Sequence, residues 1–138
     1  MEISAERVRE IYDDFAFGRL DRLSEVFDQD IEFISHAPTT IFPYLGRRRG
    51  RPDVLAALTE IHEKLQVTSI RLMSVVVAGD QAGLTALMDV TERCSSRKAQ
   101  FLAAHFLRFE QGQIVSFCGI MDSLDAVRQF TAHRLDPL

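Results

Sequence analysis

The stretch AAHFLRFEQGQIVSF, Ala103 to Phe117, decides how this chain folds. Two runs of β-forming residues flank Gln111-Gly112, a hairpin signal. A two-residue turn there sets Phe109 opposite Ile114, His105 opposite Cys118 and Ala104 opposite Gly119. Upstream, VTSIRLMSVVVA and AGLTALMDVTER are separated by Gly79-Asp80, a second hairpin signal. A tight turn at Ser95-Ser96 places Leu87 beside Ala104 and Ala86 beside His105. From Val67 to Asp122 the spacing therefore predicts an antiparallel meander.

Strand parity divides that meander into two faces. One carries Leu84, Ala86, Met88, Val90, Phe101, Ala103, His105, Leu107, Ser116, Cys118 and Ile120. The other carries Thr85, Leu87, Asp89, Leu102, Ala104, Phe106, Phe117, Gly119 and Met121. Both are too apolar for water, and one layer of helices covers only one of them. The second face reads as the inner one, because Ala104 and Gly119 leave a hollow between Leu87, Phe106 and Phe117, with Asp89 at its end. The first then meets a second copy of the chain, through Phe101, His105, Leu107 and Ile120. On this reading His105 points outward, into a homodimer interface.

The helices lie mostly before the meander. Val8, Ile11, Tyr12 and Phe15 recur at helical spacing after Ser4, a plausible N-cap, and Gly18 ends the run. LDRLSEVF forms a short second helix, and DIEFISHAP a strand that stops at Pro38. TTIFPYLGRRRG reads as a packed loop. Pro52 and Asp53 suit the first turn of a third helix striped by Val54, Leu58, Ile61 and Leu65. Asp122 or Ser123 caps a last helix, LDAVRQFTAH. The order α-α-β-α-β-β-β-β-α makes an α+β fold with a curved sheet, one domain over residues 1–138.

Composition narrows the function classes. A net charge of −4 argues against a nucleic-acid binder, which needs a basic face. No segment is long and apolar enough to cross a bilayer, and the acidic start does not resemble a signal peptide. Two cysteines, Cys94 and Cys118, form no metal-spaced set and suit the cytoplasm. No histidine pair or thiol set suggests a metal, and no glycine-rich loop suggests a phosphate, so no cofactor is expected.

GRLDRLSEVFDQDIEF resembles the helix-to-strand signature of the nuclear-transport-factor-2-like superfamily, specifically its SnoaL-like and ketosteroid-isomerase-like members. HFLRFEQGQIVSF followed by MDSLDAV resembles the final hairpin and helix of the same group. The resemblance implies a cone-shaped α+β barrel, helices on the concave sheet face, a pocket between them and frequent homodimers. Ketosteroid isomerases use a carboxylate base with a tyrosine and a protonated aspartic acid that stabilise the enolate. Aligned on those motifs, the three positions fall on Ser35, Ile11 and Ala104, none of which carries the required group. Each is followed by a candidate: His36, Tyr12 and His105. A helix absorbs that one-residue offset; a strand, whose next residue faces the other side, does not unless it bulges. Gly119 stands where many SnoaL-like proteins carry a glutamate.

The expected site therefore joins Asp89 as base, Tyr12 as donor to the substrate oxygen, and His36 where a bulge precedes Pro38. Around them the pocket is expected to be lined by Phe15, Phe33, Ser35, Tyr44, Leu87, Ala104, Phe106, Phe117, Gly119 and Met121. Its ligand would be a small apolar or cyclic organic molecule. Two functions stay open: a cofactor-free isomerase, cyclase or dehydratase moving a proton next to a carbonyl, and a non-catalytic binding or interaction module. Arg47, Arg48, Arg49 and Arg51 form either an anion site or a solvated turn.

Overall fold

In a computed structural model, residues 3–131 and Pro137 are described. Four helices and six strands follow in the order α1 (Ala5–Ala16), α2 (Leu20–Val26), β1 (Phe27–His36), β2 (Gly46–Arg49), α3 (Arg51–Lys64), β3 (Leu65–Ala78), β4 (Gln81–Glu92), β5 (Lys98–Glu110), β6 (Gln113–Met121) and α4 (Ser123–Thr131). The strands form one curved, unclosed sheet in the order β2-β1-β6-β5-β4-β3. All neighbours are antiparallel except β1 and β6, which run parallel. The α+β class holds; the sheet is mixed, because the chain crosses from one edge to the other between β2 and β3.

Local chemistry sets the element boundaries. Ser4 caps α1 by accepting from the Arg7 amide at 3.1 Å, and Gly18, at φ +71, lets the chain leave the helix. Val8, Ile11 and Tyr12 are buried on one side of α1. Asp122 holds the start of α4, its side chain accepting from the Asp125 amide at 3.3 Å. The expected last helix reaches Thr131; its Ala132 and His133 lie outside the described residues. The stretch read as a packed loop contains β2, an edge strand in which Arg48 pairs with Phe33 of β1.

Two features of the meander fix its faces. Gln111 and Gly112 both take positive φ, 50° and 79°, so the predicted two-residue turn forms and Phe109 does oppose Ile114. One step further, Arg108 opposes Ser116, leaving Val115 as an extra residue in β6. That bulge reverses the parity of the rest of β6 against β5. His105 consequently opposes Gly119 rather than Cys118. Between β4 and β5 the turn is longer than two residues, and Leu84 opposes His105. That slip from the expected Ala86 is two residues, so parity survives there.

The resulting inner face combines Ala82, Leu84, Ala86, Val90, Phe101, Ala103 and Leu107, all buried, with Phe117, Gly119 and Met121 of β6. Leu87, Asp89, Leu102, Ala104 and Phe106 lie on the outer face, with Leu102 48% and Phe106 53% exposed. Inside and outside are therefore exchanged for β4 and β5 relative to the sequence expectation, and retained for β6. Phe101, His105 and Leu107 sit inside the fold and cannot form an interface on its outside; of that expected set only Ile120 is exposed, at 48%.

Candidate functional site

Four aligned strands build the site. Across β1, β6, β5 and β4, Ser35, Gly119, His105 and Leu84 form one row on the inner face. The next row, His36, Ile120, Ala104 and Thr85, faces the other way. A cavity of about 160 Å³ opens between the inner face and the helices. Tyr12 and Phe15 of α1 cover it on one side. Phe42, Tyr44 and Phe130 pack together at another part of its wall, Phe42 meeting Tyr44 and Phe130 edge-on.

The polar centre of this cavity is a pair. The Tyr12 hydroxyl lies 2.5 Å from Nδ1 of His105, and the two rings are stacked. Burial alone holds the imidazole in its neutral form, pushing its pKa down to about 4. The same loss of water pushes the Tyr12 phenol well above its ordinary range. Both groups are therefore neutral near pH 7. Although protein surrounds the His105 ring, part of its surface opens on the cavity. Among the described residues Nε2 has no hydrogen-bond partner.

The walls near the pair are aromatic and close-fitting. Phe33 and Phe117 stack with centroids 4.5 Å apart and planes 6° from parallel. His105 meets Phe117 edge-on at 4.8 Å. A Cβ on Gly119 would stand 2.9 Å from the Phe117 ring and 3.3 Å from Cδ2 of His105. Only glycine leaves both rings where they are. The remaining polar side chains on the wall are Ser35 and Tyr44, and no charged side chain lines the cavity among the described residues. The Tyr44 phenol is pushed up to about 12, first by burial and then by Glu60 and Glu92 nearby.

Of the expected site residues, Tyr12, Phe15, Phe33, Ser35, Tyr44, Phe117, Gly119 and Met121 line the cavity. Leu87, Ala104 and Phe106 do not, because they share the outer parity of β4 and β5. Asp89 is also outside: its carboxylate accepts from the Gln100 amide at 2.8 Å, away from Tyr12. His36 is exposed and pairs with Ile120 on the outer row, since no bulge turns it inward before Pro38. The expected base positions thus hold no base. His105, assigned by sequence to the outside, stands in the cavity instead. Arg48 bonds Asp53 at 3.3 Å and the Pro43 carbonyl at 3.2 Å, a structural clasp at the start of α3. No group of three or more metal-ligating side chains occurs among the described residues.

A curved sheet wrapped around an apolar cavity, closed by helices, defines a protein built around a small-molecule-sized void. Solved structures share that fold. A protein from Rhodopseudomonas palustris, provisionally named an isomerase, superposes with a TM-score of 0.84 at 21% identity, over 91% of this chain and 93% of that one. A ketosteroid-isomerase-like protein from Catenulispora acidiphila, solved in complex with trimethylamine, gives 0.77 at 16% identity, over 92% and 93%. A Xanthomonas campestris protein, provisionally named a polyketide cyclase, gives 0.72 at 16% identity, over 88% and 92%. No functionally curated protein matches. The SnoaL-like domain family matches residues 8–117, and the chain belongs to that family.

Proposed function

We propose that this protein binds a small uncharged organic molecule carrying one oxygen, and that the Tyr12–His105 pair hydrogen-bonds that oxygen. The observation that carries the reading is a neutral donor–acceptor pair inside an otherwise apolar cavity. An apolar pocket with few convergent polar groups is the usual form of a small-molecule site. The test is binding of cyclohexanone to the wild type, Tyr12→Phe and His105→Gln, followed by calorimetry. The account expects each variant to bind about 5- to 10-fold more weakly, the effect of one hydrogen bond. Equal affinity in all three proteins contradicts it.

A second reading, proton transfer next to a carbonyl, is favoured by the unpartnered Nε2 beside a held Nδ1. With the proton on Nδ1, that nitrogen donates to the Tyr12 oxygen, and Tyr12 donates a hydrogen bond to the carbonyl oxygen while keeping its proton. The Nε2 lone pair then takes a proton from the adjacent carbon, giving an enolate hydrogen-bonded to Tyr12 and an imidazolium. Return of that proton to a different carbon completes an isomerisation without a cofactor. The names of the structural neighbours, isomerase and cyclase, fit such chemistry. A pKa near 4 makes His105 a weak base, so ligand binding stands first. Exchange of the α-hydrogens of cyclohexanone in D₂O separates the two: catalysed exchange lost in His105→Gln supports transfer, and binding without exchange supports a binding module.

We also propose a homodimer through the outer face, now carried by Leu102, Phe106 and Ile120, large apolar side chains that no helix among the described residues covers. Two free cysteines fit a reducing cytoplasm, and no helix among the described residues is long and apolar enough to cross a membrane.

A further inference from the structure

Resting on the binding reading above, we infer that the ligand is a single-ring, electrically neutral ketone or phenol, its ring held in the apolar part of the cavity and its oxygen at the Tyr12–His105 pair. Two independent features set this class, one of size and one of charge.

The size limit comes from the void itself. At about 160 Å³ it is close to an apolar protein cavity of about 150 Å³ that admits benzene. The cavity is partly open, so a fused two-ring compound would overfill it and project outward, and a four-ring steroid would do so far more. The walls beside the polar pair have little slack. Gly119 is already in contact with Phe117 and His105 to the point that one methyl group would collide. Phe33 and Phe117 brace each other in a parallel stack on the wall, so neither ring gives way without losing that contact.

The charge limit comes from what the wall omits. Tyr12, Ser35, Tyr44 and His105 are its polar side chains among the described residues, and none carries a charge near pH 7. A carboxylate ligand would lose its water shell with no cation to meet it. An ammonium would do so with no carboxylate on the wall: Asp89 lies outside, Asp14 is engaged by Arg19 and Arg22 at 3.3 and 3.5 Å, and Glu60 and Glu92, whose charge reaches Tyr44, do not line the cavity. Burial of an unpaired charge is the most costly outcome in such a site. One neutral oxygen matches the pair, which supplies a donor in either tautomer of His105.

The experiment compares four compounds by calorimetry at pH 7 with the full chain: cyclohexanone, cyclohexanecarboxylate, cyclohexylamine and 2-decalone. Cyclohexanone is expected to bind, both charged compounds about 100-fold more weakly or not at all, and 2-decalone at least about 10-fold more weakly. Equal or tighter binding of the carboxylate or the amine overturns the charge limit while leaving the site intact. Tighter binding of 2-decalone overturns the size limit in the same way. If none of the four binds up to its solubility, the underlying binding reading fails, and this inference with it.

Discussion

His105 and Phe106 are adjacent in the chain and occupy opposite worlds in the fold. His105 faces a cavity with its pKa pushed down to about 4, while Phe106 lies half in water on the outer surface of the same strand. The contrast extends along β5. Phe101, Ala103 and Leu107 are buried on the same face as His105, whereas Leu102 and Ala104 accompany Phe106. Both sets are apolar at the centre of the strand, so hydrophobicity there does not select the inside. Selection comes from the strand ends: Lys98, Gln100, Arg108 and Glu110 all share the parity of Phe106. A sheet face can hold apolar residues in its middle and still belong outside if its margins are charged.

A lysine placed on each face separates the two sides of β5 most strongly. Leu107→Lys buries a charge at a position 3% exposed and should cost about 3–5 kcal/mol, enough to unfold a marginal domain. Phe106→Lys should leave the fold intact and convert the proposed dimer to monomer, read by analytical ultracentrifugation. Urea unfolding that finds the two variants equally destabilised would mean that the faces are not distinct.

Gly119→Val should have the next largest effect. Its side chain must displace Phe117 or His105, an overpacking cost of about 1–3 kcal/mol. Cyclohexanone binding should be lost along with the ring pair. A variant of unchanged stability and affinity would show that the cavity has more slack near Gly119 than its contacts indicate.

A graded effect, comparable in size at its limit, is expected from pH. His105 binds its proton more weakly folded than unfolded, so the unfolded state takes up more protons between about pH 6.5 and 4. The stability that a neutral His105 confers is complete above the unfolded value and is lost as pH falls through this window. Its total is no more than about 3 kcal/mol. Denaturant midpoints measured from pH 7 to 4 should fall less in His105→Gln than in wild type. Parallel profiles would place the histidine in water.

Asp89→Asn should do least. The side chain is hydrogen-bonded to Gln100 on the outer face, and its replacement should change stability by under about 0.5 kcal/mol and leave cyclohexanone affinity unchanged. A loss of binding would bring Asp89 back into the site.

These contrasts also show what could be read from residues alone. Helical spacing around Val8, Ile11 and Tyr12 was legible, as were the Ser4 cap and the Gln111-Gly112 turn, because each depends on local chemistry. The bulge at Val115 was not. Ile114, Val115, Phe117 and Cys118 offer apolar side chains to either face, and no glycine or proline marks the extra residue. That single residue detached β6 from β5 in parity, which sent Ala104, Leu87 and Asp89 outward and brought His105 to Gly119. The polar ends of β5 carried the missing signal. Alternation in β4 carried it too, with Gln81, Thr85, Asp89 and Thr91 on one parity against Ala82, Leu84, Ala86 and Val90 on the other. The edge strand β2 was hidden for a different reason: its three arginines have no strand pattern, and pairing with β1 alone makes them one.

The proposed function rests on a neutral His105, bonded to Tyr12, that faces the ligand. The most direct measurement is ¹⁵N NMR of the histidine side chains during titration with acid and then with cyclohexanone. The expected result is a His105 ring that stays neutral down to about pH 4, and whose Nε2 resonance moves on ligand addition. A His105 that titrates at its ordinary value near 6.5 and ignores the ligand would contradict it.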